Sequence, residues 1–107
     1  MYYEYRRYET YHSRLEDLKR RFSEDTIPLW KEVGIKPVAF FEPRFGTNNV
    51  LHYLLAWESL DEREEIWETF RTNPVWVEKR TRSEETGPLI KKIRNEIWVP
   101  TEFSPLQ

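Results

Sequence analysis

Glu4, Arg6 and Tyr8 stand at alternate positions of the opening stretch Tyr-Tyr-Glu-Tyr-Arg-Arg-Tyr, residues 2–8. In a strand, that spacing puts a carboxylate, a guanidinium and a phenol on one face. Together they can bind an oxyanion and shuttle a proton. The plainer reading is a buried Glu–Arg pair with a tyrosine, holding a sheet together. His52 and Tyr53 interrupt an otherwise apolar run. Histidine titrates near neutrality and suits acid–base work; a hydrogen-bonded structural histidine is the alternative. In a catalytic arrangement Arg6 would anchor an anionic or enolate oxygen. Tyr8, His52 or Tyr53 would move the proton, and Glu4 would orient Arg6. Phe41, Tyr53, Trp57 and Trp98 can line an apolar cavity for a planar or acyl ligand. Arg44 and Asn49 flank a turn and would form its polar mouth. The bland readings are an aromatic core and solvated turn residues.

Composition removes several chemistries. The chain has no cysteine and two histidines, His12 and His52. A thiol nucleophile, a disulfide or a thiolate metal site is therefore out, and two histidines alone do not make a zinc constellation. No metal and no cofactor is expected. There is no serine elbow, no phosphate-cradling glycine loop and no dinucleotide fingerprint. Seventeen basic against nineteen acidic residues give a net charge of −2, which argues against nucleic acid as a partner. No apolar run approaches the ~20 residues of a membrane span, and no apolar signal-peptide core opens the chain. A cytoplasmic protein is expected, with no membrane partner.

Those residues need elements to position them. Residues 2–8 read as a tyrosine-rich strand, with Tyr3, Tyr5 and Arg7 on the face opposite Glu4, Arg6 and Tyr8. Ser13 and Glu16 form a capping box. The helix it opens places Leu15, Leu18 and Phe22 inward and Arg14, Lys19, Arg20 and Arg21 largely outside. Pro28 should kink or break it by clashing with the Glu24 carbonyl. Leu29, Trp30 and Val33 continue the apolar face, and Gly34 suits the left-handed end of a helix. Residues 35–45 and 50–58 read as a hairpin around the Gly46–Asn49 turn. Ser59 and Glu62 form a second box, opening a helix with Leu60, Ile66, Trp67 and Phe70 inward. Asn73 and Pro74 start a further, charged and irregular helical segment over 75–86, anchored by Val75 and Trp76. Residues 90–99 form the last strand.

The order is βαββαβ with an extra helix before the final strand. One domain of 107 residues follows. Its class is α+β, a ferredoxin-like sandwich with an antiparallel sheet. Both helices cover one sheet face. The other face is also apolar and aromatic, and a bare face of that kind favours pairing with a second copy across a two-fold axis. The expected assembly is a homodimeric α/β barrel, with the tail 101–107 docking on the partner.

Several fragments resemble the NIPSNAP family of the dimeric α/β-barrel superfamily. They are Tyr3-Glu4-Tyr5-Arg6-Arg7-Tyr8, Val38-Ala39-Phe40-Phe41, the Gly46 turn with Asn49, Trp57-Glu58-Ser59-Leu60, Asn73-Pro74-Val75-Trp76 and Phe103-Ser104-Pro105-Leu106. Each is short, but their order spans nearly the whole chain. The resemblance implies a homodimer with a cavity between sheet and helices or between paired sheets. It implies no single reaction, because the wider superfamily holds monooxygenases, haem-degrading proteins, dehydratases and cyclases. Where many members carry His then Trp in the third strand, this chain has Tyr53 and Leu55. His52 lies one residue earlier, on the opposite face of the strand.

Two functions follow. One is a small cofactor-free enzyme acting by acid–base chemistry on a hydrophobic or aromatic metabolite. The other is a non-catalytic homodimer that binds a ligand or partner. Glu4, Arg6, Tyr8 and Tyr53 converging on a solvent-connected cavity would favour the enzyme. The same groups fully paired in a closed core would disfavour it.

Overall fold

The computed structural model describes residues 1–107. Four strands form one antiparallel sheet in the order β2-β3-β1-β4: β1 Tyr2–Thr10, β2 Lys36–Phe41, β3 Val50–Trp57 and β4 Ile90–Trp98. Helices α1 (Leu15–Arg21) and α2 (Ile27–Val33) follow β1, and α3 (Leu60–Arg71) and α4 (Pro74–Ser83) follow β3. This is the βαββαβ order with the expected extra helix. The first strand runs two residues longer than the sequence pattern indicates, the last helix is regular but ends at Ser83, three residues sooner, and β2 stops four residues sooner.

Pro28 does not break the first helix. A π-helical turn, Phe22–Thr26, joins α1 to α2, and the Ile27 amide donates to the Phe22 carbonyl five residues back. The wider turn carries the chain past the site where the proline ring would strike a carbonyl. Pro28 then sits at the start of α2, where its missing N–H is tolerated. Gly34 closes α2 at φ +96°, a conformation that favours glycine.

Ser13 does not cap α1. It is itself in the left-handed region, φ 64°, and the residue at the cap position, Arg14, makes no side-chain cap bond. The second box forms with one change. Ser59 Oγ accepts from the Glu62 amide at 3.0 Å, while the Glu62 carboxylate reaches the Glu58 amide at 2.7 Å. Asn73 Oδ1 accepts from the amides of Val75 and Trp76. Ser59→Ala should cost about 1 kcal/mol by orphaning the Glu62 amide. Thermal unfolding would read this as a drop of roughly 4–8 °C; an unchanged midpoint would mean the Glu62 arm alone holds that end.

Three placements fail, two inward and one outward. Leu60 and Val75 are exposed, and Arg21 is buried. Arg21 lies beside the Trp76 ring and donates to Ser83 Oγ at 3.2 Å. Its long stem lets a residue next to the apolar stripe bury its carbons under α4.

The core lies between the helices and strands β1, β2 and β3. Trp30 is its centre, with ring centroids of Phe22, Tyr53 and Phe70 within 6.0 Å. The helices stop short of β4, leaving Ile93 and Ile97 at 46% and 40% exposure although they share the helix-side face. The opposite sheet face carries no layer of its own. The molecule is a slab of 46 × 36 × 19 Å with a radius of gyration of 14.5 Å, against the roughly 13 Å of a compact domain this long. Only 20 of 107 residues are buried, as expected when one face of a sheet stays bare.

Candidate functional site

Strand pairing brings together the residues that alternation places on one face. Arg6 lies opposite Tyr53 and Asn95, and Glu4 opposite Leu55 and Ile97. Arg6 Nε donates to Tyr53 Oη at 2.8 Å, Nη1 to Glu4 Oε2 at 2.8 Å and Nη2 to Tyr8 Oη at 3.2 Å. Tyr53 donates to Tyr8 at 2.9 Å. Glu4 has no exposed surface. It accepts from Trp57 Nε1, twice from Arg63 and once from Asn95 Nδ2, all at 3.0–3.1 Å. The Trp67 ring covers Arg6, its centroid 4.4 Å from the guanidinium carbon.

Electrostatics follow from these contacts. Burial alone would raise the Glu4 carboxyl, but hydrogen bonds from Arg63 and Asn95 and the charge of Arg6 hold it at about 2. Burial alone would lower the Arg6 pKa, but the Tyr8 and Tyr53 oxygens and Glu4 raise it above the ordinary value. Burial, with Tyr8 beside it, pushes the Tyr53 phenol well up. At neutral pH the cluster therefore holds the Glu4 carboxylate, the Arg6 and Arg63 guanidiniums and a neutral Tyr53 phenol. Every group is bonded to a neighbour, and none of the five principal cavities is lined by Glu4, Arg6, Tyr8 or Tyr53. The four converge in a closed core, the geometry of a buried structural network.

His52 is not part of it. It faces the bare side of the sheet with Tyr5, whose hydroxyl is hydrogen-bonded to His52 Nδ1 at 2.8 Å. Burial, with Arg7 and Arg94 nearby, lowers its pKa, so the ring is neutral at pH 7. Tyr5 also stacks on Trp98, with centroids 4.8 Å apart and planes 11° apart. Trp98 thus belongs to the bare face, away from Trp57, which is buried and bonded to Glu4. Tyr53 and Trp57 line none of the five principal cavities. Arg44 is exposed in the hairpin turn. Asn49, at φ 62°, serves the fold through its carbonyl, which accepts from the Thr10 amide and hydroxyl.

Phe41 lines an apolar cleft of about 290 Å³ beside the π turn, with Phe22, Ile27, Phe40 and Leu51. Lys19 and Glu42, paired at 2.9 Å, stand at its rim. A second cleft, about 270 Å³, lies where the tail crosses the bare face, between Trp98, Tyr3, Leu54 and Leu106. There the tail folds on its own chain, with Tyr3 Oη donating to the Gln107 carbonyl at 3.0 Å.

Sequence reasoning missed Arg63, Trp67, Asn95 and Tyr5. Asn95 and Tyr5 were within reach of strand register. Arg63 and Trp67 depend on where α3 docks, which the periodicity of its apolar residues does not say.

Strand order, helix placement and the buried Glu–Arg–Tyr network define a ferredoxin-like α+β domain. The NIPSNAP family profile matches residues 3–105, so the chain belongs to that family. A NIPSNAP family protein of unknown function from Agrobacterium tumefaciens is 26% identical, covers 100% of this chain and 94% of its own, and superposes with a TM-score of 0.88. Another NIPSNAP family protein of that organism is 23% identical over 99% and 98% of the two chains, TM-score 0.88. An uncharacterized NIPSNAP-like domain protein from Burkholderia xenovorans is 23% identical over 97% and 88%, TM-score 0.86. The last two speak for the fold alone. No curated protein matches the chain. No helix is long and apolar enough to cross a membrane.

Proposed function

We propose that this NIPSNAP protein is a homodimer that binds a small hydrophobic or aromatic metabolite in a chamber closed between two bare sheet faces. One observation carries the reading: Trp98, Tyr5 and His52 form a continuous row of nearly parallel rings on a face that no helix covers and that the tail crosses only at the Tyr3–Trp98 end. Phe41 and Trp98 are 57% and 44% exposed there. The rings stack on one another, so the row offers a planar ligand edge-to-face contact along its length and stacking on the open face of an end ring. A second copy over it removes apolar surface from water and encloses the ligand.

The closed Glu4–Arg6–Tyr8–Tyr53 cluster supports a structural role for those residues, so binding comes before catalysis in this reading. If proton transfer accompanies binding, His52 with Tyr5 carries it, since both stand on the shelf and His52 is neutral.

Light scattering should give about twice the 13.2 kDa chain mass, and calorimetry should show naphthol, an uncharged planar probe, binding to the dimer. A mass of one chain would end the dimer reading. A dimer that takes up no naphthol would end the ligand reading.

A further inference from the structure

The charges on the bare face narrow the ligand. Register puts Arg94, Arg7, His52 and Phe41 in one row across β4, β1, β3 and β2. Arg94 and Arg7 are direct cross-strand neighbours, and like charges so placed destabilise a sheet. Each has only a loose partner on its own strand: Arg7 lies 3.8 Å from Glu9 and Arg94 3.5 Å from Glu96. By the same register the outward strand positions hold four cations, Lys36, Arg7, Lys92 and Arg94, against two carboxylates, Glu9 and Glu96. The face is positive by two on a chain whose net charge is −2.

A second copy does not relieve this. Two such faces brought together double the excess and add no free carboxylate, because each strand's glutamates already face its own arginines. The row sits one step from the Trp98–Tyr5–His52 shelf. The Tyr5 hydroxyl is bonded to Nδ1, and the other ring nitrogen, Nε2, has no partner in the chain; with Tyr5 as the donor, the neutral ring carries its proton on Nε2.

We propose that the metabolite is an aromatic carboxylate, its ring on the Tyr5–Trp98 shelf and its carboxylate held by Arg7 and Arg94, with His52 Nε2–H as a further donor. The proposal rests on the dimeric ligand-binding reading above and adds the charge of the ligand and the residues that select it. Guanidinium pairs suit this task because their planar forks match a carboxylate.

The test compares naphthoate with naphthol on the full chain, by calorimetry at low salt with the mass recorded alongside. Naphthoate should bind more tightly by about tenfold or more, the strength of a charge-assisted pair. Arg7→Gln and Arg94→Gln should each remove most of that preference, and the double variant all of it, with naphthol affinity and dimer mass unchanged. Arg94→Lys should retain part of the preference. Arg94 is 60% exposed along its side chain, so its variants keep the fold.

A dimer that binds both probes equally would overturn the proposal and leave the binding reading intact. A preference that survives the double variant would also overturn it. So would dissociation of the Gln variants into single chains, because the arginines would then be holding the partner's carboxylates. Failure of naphthol and naphthoate alike would instead remove the reading on which the proposal stands.

Discussion

Glu4→Gln should destabilise the chain by about 3–5 kcal/mol, the cost of leaving buried cations without their counter-charge. Glu4 is the only carboxylate in contact with Arg6 in the core and receives five hydrogen bonds from four side chains. The amide keeps the shape but removes the charge and turns one acceptor into a donor facing guanidinium N–H groups. On a domain of this size the melting point should fall by roughly 15–25 °C. Glu96→Gln is the control, since Glu96 is exposed and its loss should stay within about 0.5 kcal/mol.

The pH dependence gives the same prediction a second face. The folded carboxyl is held at about 2, below its ordinary 4.5. A depressed carboxyl contributes stability above its unfolded pKa and loses it as pH falls through the folded value. The contribution is of order 3 kcal/mol near neutrality. It should shrink from about pH 4.5 downward and be gone near pH 2. The gap between wild type and Glu4→Gln should therefore narrow across that window. A constant gap from pH 7 to pH 2 would show that the charge of Glu4 is not what holds the cluster.

Much of the fold could be read from the sequence because its signals are local. Alternation in residues 2–10 and 50–57 separates two faces without any knowledge of the rest. Gly34, Ser59 and Asn73 each end or begin a helix by chemistry confined to one turn. The π turn was illegible because Pro28 forbids a regular helix there but does not choose between a break and a widened turn. Docking of α1–α2 against Phe40 and Tyr53 makes that choice, and it is a tertiary effect. The site divides in the same way. Alternation put Glu4, Arg6 and Tyr8 together and, by the same rule, put His52 on the other face from Tyr53. Whether the first group was open or closed turned on Trp67 and Arg63 arriving from α3, nearly sixty positions away in the chain. The partner of His52 was diagonal to it, not directly opposite: Arg7 is the cross-strand neighbour, and Tyr5 reaches over from two residues along.

Leu54→Arg should turn the proposed dimer into folded single chains. Leu54 faces outward at the middle of the bare face, opposite Tyr5 on β1 and Ala39 on β2, and takes no part in the buried core cluster. In the free chain the long arginine stem can lie along the sheet with its charge in water, so the melting point of the isolated domain should change little. In the paired state each copy would bury one more cation against a surface already carrying an excess of two. Desolvation of a charge without a partner costs several kcal/mol, enough to weaken association about a thousandfold. The slab presents a face 46 × 36 Å across, ample for the roughly 800 Å² per partner that stable association buries. Light scattering should then fall from about twice the 13.2 kDa chain mass to one chain, with the far-ultraviolet dichroism unchanged. Leu54→Ala, which removes apolar area without adding charge, should loosen the dimer far less. Retention of the full dimer by Leu54→Arg would place the contact on another surface, such as the uncovered helix-side stripe of Ile93 and Ile97 on β4. The Tyr5–Trp98 shelf would then face solvent and offer a ligand stacking from one side only.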